Sequence, residues 1–194
     1  MNEKIIASIT DFIAKKSTKE YIKGTDSYEI LKYGVAVLYY FATKTVLLIV
    51  VSIVLGILSY TLVFMIVLGG LRRYARGLHF KSNLMCTITG FLNYIVGIFL
   101  ALNLEIRFWQ SSVIFTACVV LNILYAPSST ENSPIKEKEK LSLKIKTLIV
   151  MVALFGTMLF IGEGVYRNII LFSTIIETVY VLPIAYRIFH ERRG

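Results

Sequence analysis

An all-α integral membrane protein is the fold class this sequence predicts, and three observations predict it. Of 194 residues, 56% are hydrophobic and 17% charged, with a mean hydropathy of +0.70. A soluble chain of this size has no core large enough to hide that much apolar surface. The apolar residues also gather into runs of membrane-spanning length, and the connections between the runs alternate between basic and nearly uncharged. The net charge of +9 therefore reads as loops facing an anionic leaflet. No aromatic-rich RNA motif or zinc spacing points to nucleic acid. The expected partner is the lipid bilayer, and one domain is expected over residues 1–194.

The first element is an amphipathic N-terminal helix within residues 1–30. Ile5, Ile6, Ile9, Phe12 and Ile13 recur at helical spacing, with Lys4, Lys15, Lys16 and Lys19 around them. That pattern suits a helix lying on the membrane surface, or one packed on its own protein. The segment lacks a continuous apolar core ending in a small-residue cleavage site, so it is not expected to be a cleavable signal peptide.

A transmembrane bundle is expected over residues 33–189. Its first apolar run, Tyr33 to Leu71, exceeds the roughly 20 residues of one crossing. It reads as two helices broken near Gly56–Tyr60, the second of them short. Lys44, inside the first, should face other helices or snorkel to an interface. Runs from Met85 to Leu104 and from Phe108 to Tyr125 follow. The stretch "APSSTENSPIKEKEKLSLK" then carries two of the three prolines and alternating charge; residues 127–144 read as a basic loop. The last two runs are Ile145 to Ile161 and Ile169 to Ile188.

The distribution of Lys and Arg sets the expected topology. Six precede Tyr33, four lie in Arg72–Lys81, five in Lys136–Lys146, and Arg187, Arg192 and Arg193 are in the tail. The intervening connections hold none near Gly56–Tyr60, only Arg107 near residue 105, and only Arg167 near residue 165. Six crossings with both termini in the cytoplasm fit this alternation. A four-helix alternative makes the short second segment a re-entrant hairpin.

Chemistry concentrates in "RRYARGLHFKSNLMC", Arg72 to Cys86, at the expected cytoplasmic surface. It holds one of two histidines, His79, and one of two cysteines, Cys86. Two cysteines without a C-x-x-C pair make no disulfide framework. A thiol becomes a nucleophile when a base or a positive environment favours the thiolate, and histidine is a suitable base. In one unbroken helix residues i and i+7 stand about 10.5 Å apart along the axis, too far for a dyad. The chain must therefore turn between them. Gly77 loosens the backbone, and Ser82 and Asn83 are good N-caps. A helix restarting there puts Cys86 in its first turn, where the dipole and unpaired amides favour a thiolate and can hold an oxyanion. The competing reading is ordinary packing for Cys86, as is expected for Cys118, and a solvated histidine, as is expected for His190.

Arg72, Gly77, His79, Ser82 and Cys86 stand as R-x-x-x-x-G-x-H-x-x-S-x-x-x-C, which resembles the accessory gene regulator B family (AgrB) of membrane peptidases in Gram-positive quorum sensing. Tyr125 to Ile135, "YAPSSTENSPI", is similar to that family's two-proline loop. The resemblance implies a cysteine endopeptidase of the plasma membrane, homodimeric, with its site facing the cytoplasm and an AgrD-type propeptide as substrate. It implies that Cys86 attacks the junction between the signal segment and an acidic C-terminal tail, that His79 activates the thiol and protonates the leaving amine, and that a thioester on Cys86 is captured by an internal Cys or Ser to close a thiolactone or lactone ring. It implies no metal or cofactor. Arg72, and secondarily Arg76, are expected to contact substrate. Arg73, Lys136, Lys138 and Lys140 could attract the acidic tail, although positive-inside topology also accounts for such charges. Gly77 and Ser82 are supporting residues, Ser82 as cap or catalytic group. Asn83, Asn93, Glu163 and Glu177 are candidates to orient His79, with Glu163 expected on the opposite side. Asn122, like Asn93 and Glu177, is costly in lipid unless partnered.

Three other classes compete. A peptide exporter would show repeats and broken helices about a midplane site. A membrane interaction partner would use Arg72–Cys86 as a docking loop. A metal or haem site needs more ligands than His79 and Cys86 supply.

Overall fold

Each helix follows an apolar run until a residue that cannot continue it. The computed structural model describes residues 2–17, 24–78, 83–130, 134–189 and 191, and every regular element among them is helical. α1 (Asn2–Lys16) has Glu3 in its first turn and Lys15 and Lys16 in its last, which suits the helix dipole. α2 (Asp26–Val54) stops before Gly56, whose φ of 70° a side chain disfavours. α3 (Leu58–Ala75) completes the long first run, broken where expected. α4 (Asn83–Asn103) and α5 (Phe108–Tyr125) follow. α6 (Glu137–Ile161) ends at Gly162, φ 69°. Pro183 divides the last run into α7 (Val165–Val181) and α8 (Pro183–Ile188).

Two boundaries differ from expectation. The N-terminal helix ends at Lys16, and residues from Asp26 belong to α2. α6 begins at Glu137, eight residues before Ile145, so much of the expected basic loop is helix.

The chain divides into two compact units, Met1–Leu55 and Gly56–Gly194. In the first, α1 packs on α2. Ile6 and Thr10 are buried, and the Tyr28 hydroxyl donates to Asp11 at 2.6 Å. Ile5, Ile9, Phe12 and Ile13 nevertheless stay exposed. Both readings of this helix thus keep support: a face packed on its own protein, and an apolar face turned outward.

In the second unit α7 is the central post, packed against α3, α4, α5 and α6. Its Ile169, Ile170 and Leu171 are buried among Phe64, Leu71, Phe115 and Met151. Gly97 allows α4 to approach closely; a Cβ there would lie 2.6 Å from the Phe64 ring. Four helices are long and apolar enough to cross a membrane: α2, α4 (from Leu84), α5 and α6. Their outer side chains, among them Leu92, Phe99, Val113, Val120, Val152 and Phe160, are exposed. By length and composition this is a helical membrane protein with these four candidate spans. α3 and α7 are not among the four. α3 carries Arg72 and Arg73 in its last turn, and α7 has 17 residues and buries Arg167, Asn168 and Glu177.

The α4–α5 turn shows why α7 can carry such residues. Arg167 donates to the Ile106 carbonyl and lies 3.8 Å from Glu163. Asn168 donates to the carbonyls of Ala101 and Leu104 at 3.3 and 2.9 Å. The side chains satisfy carbonyls at the end of α4 that the helix leaves open. Arg167, expected as a loop charge, is 1% exposed.

Candidate active site

The candidate site is built where α3 stops and α4 starts. Arg76 N–H closes the last turn of α3 on Arg72 O at 3.1 Å. The chain then leaves the helix with φ 62° at Arg76 and 111° at Gly77. Three backbone bonds fix this exit. Gly77 N–H donates to Ser128 O at 2.9 Å, Ser128 N–H to Ala75 O at 3.1 Å, and Leu78 N–H to Tyr180 O at 3.0 Å. Ser128 belongs to the two-proline loop and its hydroxyl meets the Tyr186 hydroxyl at 2.9 Å. The segment before His79 is therefore clamped between the proline loop and the end of α7.

Gly77 is required here on two counts. Its φ of 111° is one that side chains rarely adopt, and a Cβ would lie 3.1 Å from Tyr180 O. Gly77→Ala is expected to cost about 1–3 kcal/mol and to displace Leu78 from Tyr180. A lower melting temperature checks this. A variant that melts with the original would mean the clamp is dispensable.

Arg72 serves the same clamp. Its Nη2 donates to Leu78 O at 2.7 Å, its guanidinium lies over the Tyr180 ring at 4.9 Å, and Nη1 is 3.9 Å from Glu177 Oε2. Glu177 is 1% exposed, and among the described residues neither of its carboxylate oxygens has a hydrogen-bond partner. Arg72 is thus the charge that accompanies a buried carboxylate, and it is turned onto the chain. Arg76 is half-buried, and its buried Nε has no hydrogen-bond partner among the described residues.

α4 begins at Asn83, and Cys86 falls in its first turn, half-buried. α3 ends at Ala75, and the described part of α4 starts at Asn83. His79, Ser82, His190, Arg192, Arg193 and the Asn83 side chain lie outside the described residues. Cys118 is packed in the core with Val67, Leu71, Phe115 and Met151, at 6% exposure. Cys86 is therefore expected to react about tenfold or more faster than Cys118 with a maleimide. Equal, slow labelling would count against an accessible thiol.

Of the residues weighed as partners for His79, Asn93 and Glu177 stand near one another and Glu163 does not. Asn93 Nδ2 donates to the Tyr180 hydroxyl, and the Arg72 guanidinium overlies the same ring. Glu163 accepts from Phe108 N–H at 3.1 Å beside the α4–α5 turn, at the far end of α4 from Cys86. Asn122 is partnered by Thr178 Oγ1 at 2.8 Å. The basic residues around 136–146 lie at the start of α6, where Lys140 pairs with Glu137 at 2.5 Å. Lys140 and Lys144 line an open cavity of about 460 Å³ with Tyr125, Ala126, Pro127 and Ser129.

Tyr180 is the residue that sequence reasoning missed. Its carbonyl holds Leu78, its ring carries Arg72 and its hydroxyl holds Asn93. A tyrosine near the end of an apolar run reads as an interfacial aromatic. The only signal in the sequence was the buried-polar pair Asn93 and Glu177, each of which needed a partner.

A sequence profile described as accessory gene regulator B matches residues 6–181. A putative AgrB-like protein of Clostridium acetobutylicum is 28% identical over 166 residues, 84% of this chain and 78% of that protein. One from Listeria monocytogenes is 27% identical over 168 residues, 86% of this chain and 82% of that protein. The accessory gene regulator protein B of Staphylococcus epidermidis is 26% identical over 187 residues, covering 94% and 91%. No solved structure matches the chain.

Proposed function

The chain belongs to the accessory gene regulator B family, and from that premise we propose that it is a membrane cysteine endopeptidase that processes an AgrD-type propeptide of a quorum-sensing system. The observation that carries this reading is Cys86, half-buried in the first turn of α4, in a chain whose family match spans it.

In this reading the Cys86 sulfur attacks the carbonyl carbon at the junction of signal segment and acidic tail. The carbon–nitrogen bond breaks, and the amine of the tail leaves with a proton from His79, which took it from the thiol. The signal segment remains as a thioester on Cys86. A Cys or Ser within it attacks that thioester, the ring closes, and the Cys86 thiol is restored. Exclusion of water at the membrane interface favours ring closure over hydrolysis. Arg76 and the lysines of the 460 Å³ cavity offer the acidic tail positive charge. Six crossings with cytoplasmic termini, supported by the alternation of basic connections, would put this chemistry on the cytoplasmic side.

Co-expression with the candidate precursor tests the reading. Mass spectrometry should find the free tail and a signal peptide lighter by one water than its linear form. A precursor that is exported at unchanged mass would instead favour the transport reading. A precursor left intact beside normally inserted protein would remove the peptidase.

A further inference from the structure

Leu78, the residue before His79, is held by every group it offers. Its N–H donates to Tyr180 O at 3.0 Å, and its carbonyl accepts from Arg72 Nη2 at 2.7 Å. Its side chain is completely buried in an apolar cluster with Tyr180, Ala185 and Tyr186. Ala185 and Tyr186 belong to α8. A short helix near the end of the chain therefore makes one wall of the seat that Leu78 occupies.

α8 holds the same segment in a second way. Tyr186 is buried, and its hydroxyl meets that of Ser128, also buried, at 2.9 Å. Ser128 in turn brackets Arg76: its N–H donates to Ala75 O, and its carbonyl accepts from Gly77 N–H. Tyr186 thus reaches the exit from α3 twice, at Leu78 by apolar packing and at Gly77 through Ser128. Pro183 is the reason α8 lies there. Proline disfavours a helical residue before it, so Leu182 is extended (φ −69°, ψ 140°) and a new helix starts with the proline in its first turn. α8 lies beyond residue 181, where the family match ends, so family membership assigns it no role.

We propose that Tyr186 is a positioning residue for the peptidase reaction: by holding Ser128 and Leu78 it sets the direction in which the chain enters His79, and so the approach of that base to the Cys86 thiol. The proposal rests on the peptidase reading above. Its physical basis is the planarity of the peptide group. The Leu78 carbonyl belongs to the peptide that carries the His79 nitrogen, so a fixed Leu78 leaves His79 only its own dihedrals to place the imidazole. A misplacement of about 1 Å can cost about 10²-fold in rate, so a remote clamp can weigh as much as a direct contact. Tyr186 exchanges no proton in this scheme and acts through His79.

The test uses the full chain in lipid nanodiscs with a synthetic precursor of its AgrD type, following tail release and melting temperature. Tyr186→Phe removes the hydroxyl and keeps the packing on Leu78. It is expected to lower kcat about 3- to 10-fold, the worth of one hydrogen bond, with KM and the melting temperature nearly kept. Ser128→Ala removes the other hydroxyl and should do the same. The two together should be no slower than the slower single variant, because they delete one bond. Tyr186→Ala also removes the wall against Leu78 and should lower kcat about 10²-fold; should it fail to fold, the two milder variants carry the test. The distinguishing variant adds Tyr186→Phe to His79→Ala. A residue that acts through His79 costs nothing more once the imidazole is gone, so this double should match His79→Ala in kcat, whereas a general structural role would lower it again. Unchanged kcat in Tyr186→Phe, or a further fall when it is added to His79→Ala, overturns the proposal. His79→Ala processing the precursor like the original removes the dyad of the peptidase reading and this role with it. A slow His79→Ala beside a fully active Tyr186→Phe removes the positioning role alone.

Discussion

Cys86→Ala is expected, on the proposed peptidase reading, to abolish tail release by about 10⁴-fold or more, because in that reading Cys86 forms the acyl-enzyme. The protein should persist in the membrane. Cys86 is half-buried at a helix start and belongs to none of the core clusters, so shortening it by one atom leaves no void in the packed interior. His79→Ala should cost about 10²- to 10⁴-fold, the range for loss of a general base. Cys118→Ala is the informative contrast. It removes a sulfur from the core at 6% exposure, so it should lower stability by about 1 kcal/mol and leave processing intact. Product masses, normalised to protein level, read all three. The result that sinks the mechanism is wild-type cleavage in Cys86→Ala. The reverse pattern, in which Cys118→Ala is dead and Cys86→Ala active, would move the nucleophile into the core, where Val67, Phe115 and Met151 surround it.

How much of this was legible in the sequence depends on what kind of force set each feature. α5 begins and ends at the limits of its apolar run, Phe108 and Tyr125, because lipid length and helix length coincide there. The break before α3 was legible because Gly56 punctuates an apolar run too long for one crossing. The start of α6 was not. "EKEKLSLK" is composed largely of good helix formers, but a reading based on apolar runs sees a helix only where it meets lipid. Arg167 illustrates a second failure. Counted as a loop charge, it is buried, because carbonyls of the α4–α5 turn needed a donor that only tertiary packing could reveal. The site divides the same way. Gly77 and the first-turn position of Cys86 follow from local backbone rules, and the exit from α3 and the start of α4 agree with them. The grouping of Arg72, Glu177, Asn93 and Tyr180 joins three helices, and no local rule in the sequence encodes it.

That grouping makes Arg72 the second residue whose loss should be severe, and for a reason different from the substrate contact its motif position suggests. Arg72→Ala deletes a charged hydrogen bond to Leu78 O, a cation over the Tyr180 ring, and the positive charge 3.9 Å from a carboxyl that is 1% exposed and has no hydrogen-bond partner among the described residues. Losing the charged hydrogen bond and leaving buried polar groups without their partner is expected to cost about 1.5–3 kcal/mol. The segment leading to His79 should loosen as Leu78 loses a partner, and processing should fall with stability. Arg72→Lys should recover part of the stability, since it restores a charge, but not the fork that reaches Leu78 and Glu177 together. The decisive variant is Arg72→Ala with Glu177→Gln. If Arg72 chiefly neutralises Glu177 and holds Leu78, the double variant should regain most of the melting temperature lost in Arg72→Ala while remaining slow. If Arg72 acts instead as an anchor for the acidic tail, Arg72→Ala should keep its melting temperature, raise KM and leave kcat alone, and Glu177→Gln should rescue nothing. The inward turn of the guanidinium onto Leu78, Tyr180 and Glu177 favours the first outcome.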